Sequence, residues 1–240
     1  MIVRQEADAF VLIAQGDHAA YAATILEHWH DNGLPAHPLR DRIIAATRVH
    51  DIGWADEDAA PRLNPDTGFP FDFISMPEAV RQSVWPRAVE MLRDTPYEAA
   101  LVAQHALTIY RRFEGHASFD RFFRQMGAAR DHLFQRCQDT MPDTGLSSFM
   151  QAYALLSIAD LLSLIVCHGW TTAHDADQYR ATLMGDTLYV APDPFGGHAM
   201  PFRIPGRRIE RIRYGSDADL CAAYAAAPVV WTEGTLTGVR

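Results

Sequence analysis

No lysine occurs among the 240 residues; all 21 basic side chains are arginine. That absence excludes a Walker-type phosphate loop and Schiff-base chemistry, both of which need a lysine amine. Cysteine is nearly absent too. The three present, Cys137, Cys167 and Cys221, are far apart and odd in number, with no zinc-knuckle or redox spacing, which predicts a reducing compartment. Positive charge is short: the formal net charge is −9, which argues against nucleic acid as a partner because phosphate-backbone binding relies on clustered cations. Acids within the first ten residues argue against a signal peptide. No apolar run is read as a membrane span of about 20 residues, so a cytoplasmic protein with no membrane partner is expected. Repeats and low-complexity tracts are also missing.

What is present is ordinary globular composition, 48% hydrophobic and 21% charged. The chain divides by pattern. Residues 17–31, with Asp17 as cap, place His18, Tyr21, Ile25 and Trp29 at helical spacing. Pro38 suits the first turn of a helix carrying Leu39, Ile43, Ala46 and Val49, which ends at His50 and Asp51. An aromatic loop over 61–75 contains Phe69, Phe71 and Phe73. Ser75-Met-Pro-Glu78 and Thr95-Pro-Tyr-Glu98 have capping-box spacing and mark two helix starts. The second helix is read as running on to Arg112, so that His105 and Arg112 share a face. A further helix covers about 118–138. Residues 146–168 are apolar nearly all round, which makes their one acid, Asp160, conspicuous. After about residue 180, short β-like runs at 187–190, 200–204 and 208–213 are broken by Pro and Gly, followed by a short helix over 217–226 and a strand at 229–231.

The adjacent pair His50-Asp51 carries the chemistry. A neutral imidazole beside a carboxylate offers two oriented ligands for a divalent metal, and His18, His105 and Asp160 are further candidates on separate helix-patterned segments. His132 is the next histidine that a second metal would use. Arg48, Arg111 and Arg112 are candidates for a substrate phosphate, with Arg112 favoured.

Four segments, Gln15-Gly-Asp-His18, His50-Asp-Ile-Gly-Trp54, Gln104-His105 and Asp160-Leu-Leu-Ser-Leu164, appear in an order that resembles the HD superfamily of metal-dependent phosphohydrolases. They look closest to an uncharacterised branch of it. The resemblance implies a mainly α fold: an HD-like helical bundle over residues 1–178 with a small β-rich C-terminal appendage over 179–240. It implies metal ligands His18, His50, Asp51 and Asp160, holding Fe, Mn, Zn, Co or Ni, with room for a second metal. Asp51 and His105 would act at the reacting centre, with an acid shortly after the doublet, taken as Glu57 from the run Asp56, Glu57, Asp58. Arg48, Trp54 and Arg112 would contact the substrate, a small phosphorylated molecule or a nucleotide. The implied activity is phosphate-ester hydrolysis by a metal-activated water. A di-iron oxygenase on the same scaffold and a non-catalytic metal-containing binding protein are the alternatives, and a homo-oligomer is compatible with all three.

Overall fold

A computed structural model describes residues 1–140 and 145–239. Two strands open the chain, β1 (Ile2–Gln5) and β2 (Ala9–Ile13). The helices α1 (Gln15–Glu27) and α2 (Arg40–Val49) follow, then a 3-10 turn (Ile52–Trp54) and the short α3 (Ala55–Ala59). A small hairpin, β3 (Leu63–Asn64) and β4 (Phe69–Pro70), leads into α4 (Glu78–Met91) and α5 (Pro96–Ile109). After a 3-10 turn at Arg111–Phe113 come α6 (Asp120–Thr140) and α7 (Leu146–His168). The chain closes with β5 (His174–Ala176), β6 (Tyr179–Met184), β7 (Thr187–Ala191), β8 (Met200–Glu210), α8 (Asp217–Ala226) and β9 (Val229–Gly238).

A mainly α bundle with a small β appendage is the wrong architecture. Seven strands form one curled mixed sheet in the order β1-β2-β8-β9-β7-β6-β5. Every pair is antiparallel except β7 with β9. The N-terminal residues join the sheet beside β8, with Phe10 opposite Ile209 and Leu12 opposite Arg207. Strands from both sides of residue 178 therefore share one sheet. The runs at 200–204 and 208–213 are a single strand ending at Glu210, continuous through Pro205 and Gly206. Its alternate residues Met200, Phe202 and Ile204 are buried, the period of a strand with one face on a core, and beyond Gly206 the buried residue Ile209 faces the other side.

The largest apolar cluster joins α1, α2, α5 and α7 to one face of the sheet, bringing Ile25, Ile43, Leu101 and Leu156 together with Ile13, Val190 and Ile204. A second cluster packs the turn and α4 on α5 and α6 through Trp54, Trp85, Val102 and Phe122. A third lies on the opposite face of β1–β2, where Val3, Phe10 and Leu12 meet Ile209 and Leu220 of α8. Burial on two faces explains why β2 is apolar throughout rather than alternating.

Several local readings change. Arg40 begins α2 with Leu39 as its cap, so Pro38 lies outside the first turn, and Ala14 rather than Asp17 caps α1. Both predicted capping boxes mark real helix starts, but neither box forms. Pro77 caps α4 while Ser75 Oγ donates to the Asp72 carbonyl. Thr95 caps α5 with its hydroxyl donating to Leu92, because Glu98 is held instead by Arg42 at 3.0 Å. α7 is long and apolar enough to cross a membrane, contrary to the sequence reading, yet it is mostly buried inside the fold. It ends where Gly169 takes φ 70°, a left-handed C-cap that suits glycine.

Candidate metal centre

α1, α2, α5 and α7 converge on one polar point inside this apolar packing. α1 delivers His18, the end of α2 delivers His50 and Asp51, α5 delivers His105, and α7 delivers Asp160. All five are buried, His18 and His50 completely. Asp160 is central: its Oδ1 lies 3.3 Å from His50 Nε2 and 3.7 Å from His18 Nε2, and its Oδ2 lies 3.6 Å from His105 Nε2. Asp51 Oδ2 is 2.9 Å from His18 Nε2 and 3.5 Å from His50 Nε2. Metal–nitrogen and metal–oxygen bonds of about 2.0–2.2 Å separate the ligands of one ion by roughly 3–4 Å, so these spacings suit a shared cation. His18, His50 and Asp51 form one grouping, and His50, His105 and Asp160 another, each with ligand atoms within 4.8 Å of one another.

The second nitrogens fix how the rings point. His50 Nδ1–H donates to the Thr47 carbonyl at 2.7 Å. Its Nε2 is buried between two carboxylates, 3.3 Å from Asp160 and 3.5 Å from Asp51. For His18, the Ser163 hydroxyl donates to the Asp160 carbonyl at 2.8 Å, leaving its oxygen to accept from Nδ1–H at 2.6 Å. Both imidazoles therefore aim Nε2 lone pairs at carboxylate oxygens, an arrangement that is repulsive unless a proton or a metal cation lies between. Removing the Ser163 hydroxyl frees the His18 ring to turn, and Ser163→Ala is expected to weaken divalent-metal affinity by about 10- to 100-fold, read by competition with a chelating dye.

Charge in the pocket follows from burial and proximity. Burial alone would lower the pKa of His50, but the charges of Asp51 and Asp160 and the Thr47 carbonyl raise it to about 9. Burial likewise works to raise Asp51 and Asp160, and the surrounding histidines overcome it and hold both below the usual carboxylate range. His105, where burial dominates, is lowered to about 4 and is neutral at pH 7. In metal-free protein His50 thus carries a proton that a metal must displace. Its folded pKa lies above the ordinary 6.5, so the stability it adds is fully present below pH 6.5 and is lost as pH rises towards 9. Apparent metal affinity should rise about tenfold per pH unit between roughly 7 and 9 and then level, as one proton is released per ion. Titration calorimetry in buffers of different ionisation enthalpy measures that proton count.

The remaining sequence candidates separate into those that reach the site and those that do not. A cavity of 210 Å³ opens beside the cluster, lined by Asp51, His105 and Asp160 together with Trp54, Phe73 and Arg112. Arg112 reaches it although α5 ends at Ile109, because the following 3-10 turn carries it round. Phe73 makes an edge contact with Trp54, so the aromatic loop does form part of the wall. Arg48 points away and pairs with Glu27 at 2.6 Å. Glu57 lies between Arg62 and Arg87, 3.7 and 3.8 Å away, and does not line the cavity. Asp56 binds Arg87, and Asp58 accepts the Gln15 backbone N–H at 2.7 Å and pairs with the Met1 amino group. Arg111 lines a different hollow, between α5 and α6. His132 is exposed on α6 and joins no cluster.

Sequence reasoning missed Ser163, Thr47, Arg81 and Trp85. Ser163 was legible as the residue one turn beyond Asp160 on the same helix face. Trp85 faces His105 edge-on at 5.5 Å, and Arg81 sits one turn before it on α4. Neither had a signal, because nothing in the sequence says which helix packs on the His50-Asp51 turn.

A family model described as "Protein of unknown function (DUF3891)" matches residues 1–211, a span that holds all five cluster residues and the strands up to β8. No curated protein and no solved structure matches the chain.

Proposed function

The chain belongs to that family of unknown function, and from this premise we propose that it is a metal-dependent hydrolase of small phosphate esters. The observation that carries the reading is the buried His50 Nε2, set 3.3 Å from Asp160 and 3.5 Å from Asp51 while its Nδ1 is tied to Thr47. The two carboxylates and the imidazoles of His18, His50 and His105 form a mixed nitrogen and oxygen donor set suited to a divalent transition metal. With two aspartates present, a dication gives a neutral buried site, which favours it over isolated burial of those charges. The order of His18, His50-Asp51 and Asp160 along the chain supports a relationship to HD phosphohydrolases in the ligand set, with a different surrounding architecture.

When bound, such an ion supplies Lewis-acid polarisation of a phosphoryl oxygen and lowers the pKa of a coordinated water. The protein's own contribution is placement. His50 is locked by Thr47 and His18 by Ser163, so neither ring needs to reorganise. Trp54, Phe73 and Trp85 line the site and limit water, and Arg112 offers an anion-binding fork at its rim. His50 has only one nitrogen free and belongs to both ligand groupings, which supports one ion rather than the two a di-iron oxygenase requires. The test is metal analysis of protein prepared without chelators, together with turnover of a phosphate-ester panel. Failure to find stoichiometric metal, with His50→Ala and Asp51→Ala leaving turnover unchanged, would sink the reading.

A further inference from the structure

Two arginines lining the cavity have no carboxylate partner among the described residues, Arg81 of α4 and Arg112 of the turn after α5. Their guanidinium carbons lie 5.7 and 4.8 Å from the centroid of the same ring, Phe113. Other arginines near the doublet are spent on acids: Arg87 on Asp56 and Glu57, and Arg48 on Glu27. Arg81 is half-buried, and its Nε is sealed from solvent with no acceptor. A half-buried guanidinium on a cavity wall with no carboxylate to balance it is costly, which suits an anion from outside the chain reaching its exposed edge. Trp85, one turn along α4, touches His105, which sets Arg81 on the same wall as the His-Asp cluster.

The size and lining of the cavity restrict that anion. Its 210 Å³ is below the roughly 300 Å³ at which pockets enclosing drug-sized ligands begin. Apart from the two arginines and the cluster, the walls are aromatic and aliphatic, with Trp54, Phe73, Tyr110 and Leu164 prominent.

We propose that this cavity selects a compact phosphomonoester with an apolar body, its phosphoryl oxygens held by Arg81 and Arg112 and its body against Trp54 and Phe73. The proposal rests on the reading of the site as a phosphohydrolase centre. It sets nucleotides aside, because a ribose and base need more room than the cavity provides and polar partners that its walls lack.

The test compares phenyl phosphate, inorganic phosphate and adenosine 5′-monophosphate as ligands of metal-loaded protein, with metal content measured on every sample. Phenyl phosphate is expected to bind at least about tenfold more tightly than the other two. Arg81→Gln and Arg112→Gln should each weaken it about tenfold or more at unchanged metal content, while Arg87→Gln leaves it alone. Should Arg81→Gln not fold, Arg81→Lys keeps the charge and the stem over Tyr110 and Phe113 while losing the two-pronged fork, and should still weaken phenyl phosphate. Equal or tighter binding of the nucleotide, or indifference of phenyl phosphate to both arginines, overturns the proposal. Wild-type protein that holds no metal yet binds phenyl phosphate through both arginines would overturn the metal reading and leave this one standing.

Discussion

Asp160→Asn is expected to empty the metal site and to reduce phosphate-ester turnover by more than about 100-fold, beyond what loss of an outer-shell partner costs. Asparagine keeps the shape of the side chain but removes its charge and replaces one acceptor oxygen with an N–H donor. That carboxylate lies within 3.7 Å of the Nε2 atoms of all three histidines, so its loss is felt at each of them. The effect on the metal-free protein has a definite sign as well. Asp160 helps to hold the His50 pKa up at about 9, and without it burial pulls that value down, so the stability that His50 contributes near neutral pH shrinks. Metal content by mass spectrometry and a thermal melt with and without added divalent ion measure both halves. Full metal occupancy in the asparagine variant would contradict the placement of Asp160 at the centre of the donor set.

The cluster was legible in the sequence because its members stand out locally. Asp160 is an acid in an otherwise apolar helix, and His50-Asp51 closes an amphipathic one; such residues announce themselves through the cost of burying polar groups. The sheet was harder to read for a related reason. Alternation is the signature of a strand buried on one face, whereas β2 is covered by α1 and α7 on one side and α8 on the other, and so reads as an undifferentiated apolar run, Ala9-Phe-Val-Leu-Ile13. Its partner β8 is nearly 200 residues away in the chain, a pairing that no local pattern encodes. Pro205 and Gly206 then disguised β8 as two fragments. Gly206 is there because the chain crosses β2 closely: a Cβ at that position would lie 2.6 Å from Val11 Cγ1. The acids after the doublet illustrate the opposite error. Asp56, Glu57 and Asp58 have the right distance in sequence for an acid-base role, but α3 turns them towards Arg87, Arg62 and the start of α1, where they tie the turn to its neighbours.

Gly53 is where fold and site depend on the same atom. Its backbone does not adopt a left-handed conformation, so conformational freedom does not explain the glycine in His50-Asp-Ile-Gly-Trp54. Close approach does. A Cβ there would lie 2.0 Å from the Val84 carbonyl oxygen and 3.0 Å from the Ala88 Cβ, so the turn can rest on α4 only if position 53 has no side chain. Gly53→Ala must push α4 and the turn apart, because the obstructing atom is backbone in a helix and cannot swing away. Overpacking a core costs about 1–3 kcal/mol and occasionally more, and a clash against a fixed carbonyl belongs at or above the top of that range. The displacement would also move Asp51 and Trp54 on one side and Arg81 and Trp85 on the other, loosening the ligand cluster and the cavity wall together. We therefore expect the variant to lose about 3 kcal/mol or more in chemical denaturation and to bind divalent metal much more weakly even where it remains folded. Gly127, whose added Cβ would meet nothing within 4 Å on the solvent-facing helix α6, is the control: alanine there should leave metal binding unchanged and raise stability by about 0.4–1 kcal/mol. Equal stability of the two alanine variants would mean that the turn is not seated on α4 as described.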